Sequence, residues 1–155
     1  METIKLLYID DNIDPYISQY LYESYRYDGV QIEYLERPFD LEDTYESLLR
    51  DQDIHASDVI IIDSILFENA NLANQKLTGE EFEIILRKVF PFKEVIVVTQ
   101  NDVDEEYNVI KKYGTSSDIE SNLFFENEWK AILDKSVEHI KLYRKIVNGK
   151  PHAWS

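Results

Sequence analysis

The sequence predicts a doubly wound α/β fold built on a parallel sheet. Three short apolar runs rich in β-branched residues recur along the chain, at residues 4–9, 59–62 and 95–98, with helical patterns between them. Near-continuous apolar runs of this length indicate strands covered on both faces, as in a parallel sheet. A fourth candidate at residues 30–35 alternates between apolar and polar residues, which predicts an edge strand. Strands that alternate with helices favour a doubly wound architecture.

The segments between the strands carry helix start signals. Asp14 can cap a first helix, with Pro15 at its first position. A weaker second helix is predicted at residues 41–50. Thr78 and Glu81 have the spacing of a capping box at the start of a third helix.

Two further helices are predicted in the C-terminal half. One covers residues 102–113 and stops at Gly114. The last runs from about residue 127 to residue 147, and its apolar residues recur with helical spacing. At 1.5 Å per residue it would span roughly 30 Å, so we expect its later apolar residues to contact the domain's flank or a second copy of the chain. These later residues are Leu142, Tyr143, Ile146 and Val147.

Length and composition limit the classes of protein that the chain could be. The 155 residues suit one domain, for which we expect residues 1–148, with a tail at 149–155. The 16 basic and 31 acidic residues give a net charge of −15, so neither nucleic-acid nor membrane binding is expected. The chain has no cysteine, no signal-peptide pattern and no apolar run long enough to span a membrane. A cytoplasmic location is therefore expected.

Polar residues follow three of the predicted strands. Asp10 and Asp11 end the first apolar run, Asp63 ends the run at 59–62, and Thr99 ends the run at 95–98. Because the carboxyl ends of parallel strands meet at one edge, we expect these residues to converge. Three nearby carboxylates repel one another and favour a hard divalent cation, for which we expect Mg²⁺. Taken singly, Asp10 or Asp11 could equally serve as a helix cap.

With these residues the chain resembles the receiver domain of bacterial two-component response regulators. The resemblance covers roughly residues 4–145 and rests on the Asp10-Asp11 pair, Asp63 and Thr99. It implies a five-stranded, flavodoxin-like receiver fold. It also implies that Asp63 is the phosphoacceptor and that the Thr99 hydroxyl turns toward the phosphoryl group.

The same resemblance implies a Mg²⁺ site. Its ligands would be the carboxylates of Asp10, Asp11 and Asp63 together with the backbone carbonyl of Ile65. A bound cation offsets the repulsion between an anionic nucleophile and an anionic phosphoryl group.

Two departures from the family pattern stand out. Family members carry a lysine after the fifth strand, and counting from Gly114 places Ser121 there; no basic residue lies between Lys112 and Lys130. The sequence therefore predicts a site without the family lysine, in which modification of Asp63 causes little conformational change around Asp118. The second departure is a long connection at residues 64–77, expected to form a flap beside the site.

Two classes of function follow. The first is a stand-alone signalling protein, phosphorylated at Asp63 by a histidine kinase or phosphotransfer protein and acting on a downstream protein. In a variant of this class, the chain is a degenerate receiver that acts only by protein contacts. In neither form do we expect an enzymatic activity other than self-phosphorylation. The second class is a Mg²⁺-dependent phosphodiesterase similar to PIN-type nucleases, with metal held by Asp10 and Asp63. Such nucleases need a further acidic set on later strands, where this chain has Thr99.

Overall fold

The computed structural model describes residues 1–39, 43–63, 79–99, 109–113 and 120–149. Five parallel strands form one sheet in the order β2-β1-β3-β4-β5. The elements run along the chain as β1 (Glu2–Asp10), α1 (Pro15–Gln19, continued by a π-helical turn, Tyr20–Ser24), β2 (Val30–Pro38), α2 (Tyr45–Leu49), α3 (Gln52–Ala56), β3 (Val59–Asp63), α4 (Gly79–Val89), β4 (Glu94–Thr99), β5 (Val109–Lys111), α5 (Ser121–Glu128) and α6 (Lys130–Gly149).

Helices cover both faces of the sheet. Alternate residues of the central strands point to opposite sides, so each strand contributes buried side chains to both faces. On one face Leu6 and Ile61 pack against α1, α5 and α6. On the other face Leu7 and Ile60 pack with side chains from α2, α3 and α4. The predicted doubly wound parallel sheet is confirmed, with β2 at one edge as expected.

The start of α1 follows the predicted capping chemistry. Asp14 accepts hydrogen bonds from the backbone N–H groups of Tyr16 and Ile17, and Pro15 occupies the first helical position. A side-chain acceptor here satisfies amide groups that have no partner within the helix. The cap lies four residues after the end of β1 and fixes the start of α1 beside the carboxyl end of the sheet.

Helix α6 is the longest helix of the described residues and packs along one face of the sheet. Leu133, Val137 and Ile140 of α6 are buried, as is Trp129 at the turn that precedes this helix. Burying one such side chain stabilises the fold by roughly 1.5–3 kcal/mol. None of the helices among the described residues is long and apolar enough to cross a membrane.

Polar contacts hold α5 and α6 in place along their length. Arg144 donates to the Thr3 carbonyl at 2.8 Å and ion-pairs with Asp58 at 3.0 Å, both at the amino end of the sheet. At the other end, the Trp129 indole N–H donates to the Lys111 carbonyl at 2.9 Å. Three tyrosine hydroxyls of the α1 region donate to acids of these helices, in the pairs Tyr20–Glu126, Tyr25–Asp134 and Tyr27–Glu138.

The C-terminal half differs from the sequence prediction in two places. The helix predicted at 102–113 is wrong at its end, because Val109–Lys111 forms strand β5; residues 102–108 lie outside the described part. Ile110 pairs with Val98 and is buried, so its burial in the sheet outweighs a local helical pattern. The single helix predicted from 127 to 147 is instead two helices that meet at a turn at Trp129.

Candidate functional site

Asp10 and Asp63 are the last residues of β1 and β3, which are neighbours in the sheet. Ile9 pairs with Ile62, so the two carboxylates stand side by side at the carboxyl edge. Their residues are only 1% and 3% exposed. Thr99 ends β4 one residue beyond Val98, the partner of Asp63, and is also buried. The structure thus brings these three predicted site residues to one edge.

A lysine lies among these carboxylates. The Lys112 Nζ is 3.2 Å from Oδ2 of Asp63, 3.7 Å from Oδ2 of Asp10 and 4.0 Å from Oδ2 of Asp14. Lys112 directly follows β5, and its backbone N–H donates to the Thr99 carbonyl at 2.7 Å. The lysine after the fifth strand is therefore present, and the prediction that this position falls on Ser121 is wrong.

The difference arises from the position of the fifth strand in the chain. Starting at Gly114 placed the lysine position at Ser121, which is in fact the first residue of α5. The fifth strand lies earlier, at Val109–Lys111, so the residue after it is Lys112. The expectation of a weak conformational switch depended on the missing lysine and loses its basis. Residues 114–119, which include Asp118, and the predicted flap at 64–77 lie outside the described part.

Signals for Lys112 were present in the sequence. Val109 and Ile110 are two β-branched residues in a row, followed by two lysines. A second signal is electrostatic: a pocket of several buried carboxylates is costly unless a cation neutralises it. The first signal is compatible with a short strand that ends at a basic residue, and the second indicates that the site needs a cation.

The site keeps its lysine charged. Burial lowers the pKa of Lys112, but the carboxylates of Asp63 and Asp10 outweigh burial and leave the pKa above its ordinary value. Burial raises the pKa of Asp10 to about 7, against the hydrogen bond from Tyr8, with further upward contributions from Asp11 and Asp63. Near neutral pH the pocket therefore holds a fixed positive charge beside a carboxyl group that titrates.

Asp10 is held by hydrogen bonds on both oxygens. The Tyr8 hydroxyl donates to Oδ2, and the Asn12 backbone N–H donates to Oδ1 at 3.1 Å. The Asp14 backbone N–H donates in turn to the Tyr8 oxygen at 3.2 Å. Burial and the negative charge of Asp10 raise the pKa of Tyr8 far above its usual range, so its hydroxyl stays protonated. Sequence reasoning missed Tyr8, because an aromatic residue in a buried strand is an ordinary core residue.

Of the two remaining predicted ligands, Asp11 lies within the described residues. Asp11 follows β1 and is exposed, and its side chain contributes to the raised pKa of Asp10. Ile65 lies outside the described residues.

The donor set at this edge is compatible with Mg²⁺. Within the described ranges, no three acidic or histidine side chains form a ready-made cation cluster. Mg²⁺ in proteins commonly uses one or two carboxylates and keeps several waters. The adjacent carboxylates of Asp10 and Asp63 meet that requirement, so the residues present fit the ion.

An ion-pair cluster borders the site at the end of β2. The Arg37 guanidinium contacts both carboxylate oxygens of Asp43, at 2.8 and 3.0 Å, and Oδ2 of Asp51 at 2.6 Å. Asp51 also caps α3 through its other oxygen. Phe39, the residue after β2, donates its backbone N–H to the Asp10 carbonyl at 2.7 Å. The cluster therefore fixes the chain on the β2 side of Asp10.

No protein-family model and no curated protein sequence matches the chain. Among solved structures, it is similar to a two-component transcriptional regulator AraC from Clostridium phytofermentans ISDg, with a TM-score of 0.50 and 17% identity over 92% of this chain and 98% of that one. It is also similar to RcsB from Salmonella enterica serovar Typhimurium, bound to promoter rprA in the presence of phosphomimetic BeF3-, with a TM-score of 0.48 and 14% identity over 89% and 98% of the two chains. A LuxR-family response regulator from Aurantimonas sp. SI85-9A1 has a TM-score of 0.48 and 16% identity over 92% and 99%.

At such identities the likeness concerns the fold. The first of these structures has the same architecture over nearly its whole chain, which confirms the predicted flavodoxin-like receiver fold. The fold alone does not determine what the side chains at the carboxyl edge do.

Proposed function

We propose that this chain is a receiver-like signalling protein in which the Asp63 carboxylate accepts a phosphoryl group with the help of Mg²⁺. The observation that carries the proposal is the position of Lys112, whose ammonium lies between the carboxylates of Asp63 and Asp10. A nucleophilic carboxylate, a neighbouring carboxylate and a fixed cation together suit transfer of a phosphoryl group to an aspartate.

The proposed transfer forms a bond between an Asp63 carboxylate oxygen and phosphorus. The bond from phosphorus to the donor breaks and its electron pair leaves with the donor, as acetate from acetyl phosphate or as the imidazole of phosphohistidine, which is neutral because its other ring nitrogen carries a proton. Mg²⁺, held by Asp10 and Asp63 with Asp11 and the Ile65 carbonyl as further proposed ligands, would offset the repulsion between the anionic groups. Lys112 would ion-pair with the phosphoryl oxygens on Asp63, and the Thr99 hydroxyl would donate to one of them.

The partners follow from this chemistry. We propose a histidine kinase or phosphotransfer protein as the donor, a downstream protein as the target and the cytoplasm as the location. If the chain is not phosphorylated, we propose that it is a degenerate receiver that acts only by protein contacts. A homodimer through α6 is a further element, because Leu142 and Ile146 are exposed on that helix.

A Mg²⁺-dependent nuclease is not favoured. Such an enzyme needs carboxylates on later strands, whereas β4 ends at Thr99 and β5 is followed by Lys112. The net charge of −15 also opposes binding of a phosphate backbone. Beyond self-phosphorylation we propose no catalytic activity.

The test is phosphorylation of the purified chain by acetyl phosphate or phosphoramidate with Mg²⁺. Intact-mass analysis should show one added phosphoryl group that hydroxylamine removes, as expected for an acyl phosphate. Asp63→Asn and chelation of Mg²⁺ should each abolish the modification, whereas Asp28→Asn, at an exposed turn, should leave it unchanged. If no donor modifies the chain, phosphorylation is refuted and the degenerate receiver is the version of the proposal that stands. Modification that persists in Asp63→Asn would refute Asp63 as the acceptor.

A further inference from the structure

We propose that Tyr8 is a positioning residue for the cation site: its hydroxyl holds the Asp10 carboxylate in the orientation in which it binds Mg²⁺. The inference rests on the proposed function, because it concerns the same site. It adds a residue that lies inside β1 rather than at the end of a strand.

Tyr8 reaches the site from within the sheet. It lies two residues before Asp10 on the same strand, so both side chains point to the same face. Its ring is fully buried and its hydroxyl donates to Oδ2 of Asp10. The Tyr8 oxygen accepts the Asp14 backbone N–H at 3.2 Å, which directs the hydroxyl proton away from that amide and toward Asp10. The hydroxyl is therefore fixed by two hydrogen bonds, one donated to Asp10 and one accepted from Asp14.

The contact leaves room for a cation. A carboxylate offers about four lone-pair sites on its two oxygens. Tyr8 uses one site on Oδ2, and the Asn12 N–H uses one on Oδ1. Rotation of the carboxylate would break both hydrogen bonds, so its plane is fixed before any ion arrives. Preorganisation of this kind is what groups behind metal ligands commonly supply.

Packing alone does not require the hydroxyl. On this face the neighbouring positions of β1 and β3 are aliphatic, namely Leu6, Val59 and Ile61, whereas Glu36 is the partner of Tyr8 on β2. A phenylalanine would fill the same space as Tyr8 and bury the same ring. The polar atom is instead placed against a carboxylate at the site, and that placement suggests a role in the site's chemistry.

The experiment is Mg²⁺ binding to Tyr8→Phe, measured by isothermal titration calorimetry at a pH above the pKa of Asp10, so that orientation rather than protonation is compared. Loss of a group that orients a metal ligand typically weakens metal binding 10–100-fold, and we expect about tenfold for this single hydroxyl. In phosphorylation by acetyl phosphate, the Mg²⁺ concentration for half-maximal rate should rise by a similar factor. The rate at saturating Mg²⁺ should stay within about twofold of the wild-type rate, since Asp63 and Lys112 are unchanged.

Tyr25→Phe is the matched control. Tyr25 is equally buried, and its hydroxyl donates to the Asp134 carboxylate at 2.8 Å, so the variant loses the same kind of hydrogen bond away from the site. We expect it to lose stability without any change in Mg²⁺ affinity. This contrast separates positioning of Asp10 from a general loss of stability.

The possible failures are distinguishable. An unchanged Mg²⁺ affinity in Tyr8→Phe, or an equal loss in Tyr25→Phe, would overturn the role of Tyr8 and leave the proposed function intact. Wild-type protein that binds no Mg²⁺ would overturn the proposed function together with the role of Tyr8. A selective loss in Tyr8→Phe would support both.

Discussion

Lys112 Nζ lies 3.2 Å from Oδ2 of Asp63 and 3.7 Å from Oδ2 of Asp10, so one ammonium group is shared by two buried carboxylates. The lysine therefore carries positive charge at the position where Mg²⁺ is proposed to bind. Two cations at one pair of carboxylates repel each other, and an ion must bind against that repulsion.

The first prediction concerns Mg²⁺ affinity. Lys112→Gln should bind Mg²⁺ roughly tenfold more tightly than the wild type, because the competing charge is removed, and calorimetry measures the change. Lys111→Gln is the control, since the adjacent Lys111 side chain is exposed, and it should change affinity by less than about twofold. Weaker binding in Lys112→Gln would mean that the lysine organises the site rather than competing with the ion.

The second prediction concerns pH. The pKa of Asp10 rises from the usual 3.8 to about 7 on folding, so between these values the folded chain holds a proton that the unfolded chain has released. Stability should therefore fall as pH rises through this window and level off above it, by on the order of 4 kcal/mol from this group. Urea unfolding at both ends of the window measures the fall.

Variants isolate the contribution of Asp10. Asp10→Asn cannot titrate, so its stability relative to the wild type should increase with pH across the same window. Asp28→Asn, which replaces an exposed acid, should follow the wild-type profile. Parallel profiles for Asp10→Asn and the wild type would show that Asp10 does not titrate in this range.

The third prediction concerns the ion-pair cluster beside the site. Arg37→Lys should lower the free energy of unfolding by about 2 kcal/mol, because a lysine cannot contact Asp43 through two nitrogens while also reaching Asp51. Chemical denaturation measures the loss. Arg50→Lys, at an exposed position, should change stability by no more than about 0.5 kcal/mol. Equal effects of the two substitutions would show that the cluster contributes little.

The fourth prediction concerns self-association. The Leu142 and Ile146 side chains are 58% and 52% exposed and lie one turn apart on α6. The double variant Leu142→Glu, Ile146→Glu should shift a concentration-dependent dimer to monomer in sedimentation velocity without lowering the melting temperature. Ile84→Glu, at a similarly exposed position on α4, should leave the dimer intact. A wild-type chain that stays monomeric at high concentration would contradict the prediction.

The sequence predicted the central sheet well because the relevant signals are local. The strands that contain Ile4, Val59 and Val95 are near-continuous apolar runs. Such runs are typical of strands that are buried on both faces of a sheet, as these are. Asp10, Asp63 and Thr99 were found because each directly follows such a run.

Strand β5 and Lys112 escaped prediction for a physical reason. Three residues are too few to show a period, and the strand forms because Ile110 is buried against β4, which is a tertiary contact. The contact of Tyr8 with Asp10 was equally invisible, because only the folded sheet shows that the hydroxyl reaches the carboxylate.

The hydrogen bond from Trp129 to Lys111 also protects the sheet from unwanted pairing. Lys112 directs its N–H to β4, so the preceding Lys111 carbonyl faces the open side of β5. An exposed strand edge is a template for aggregation, and here the indole occupies an outward acceptor of a strand only three residues long. The opposite edge, β2, is nine residues long and carries Glu33, Glu36 and Arg37, whose charges oppose the addition of another strand. Removing the indole N–H would therefore take away one protection of this edge, which would then depend on the short length of β5 and the charge of Lys111.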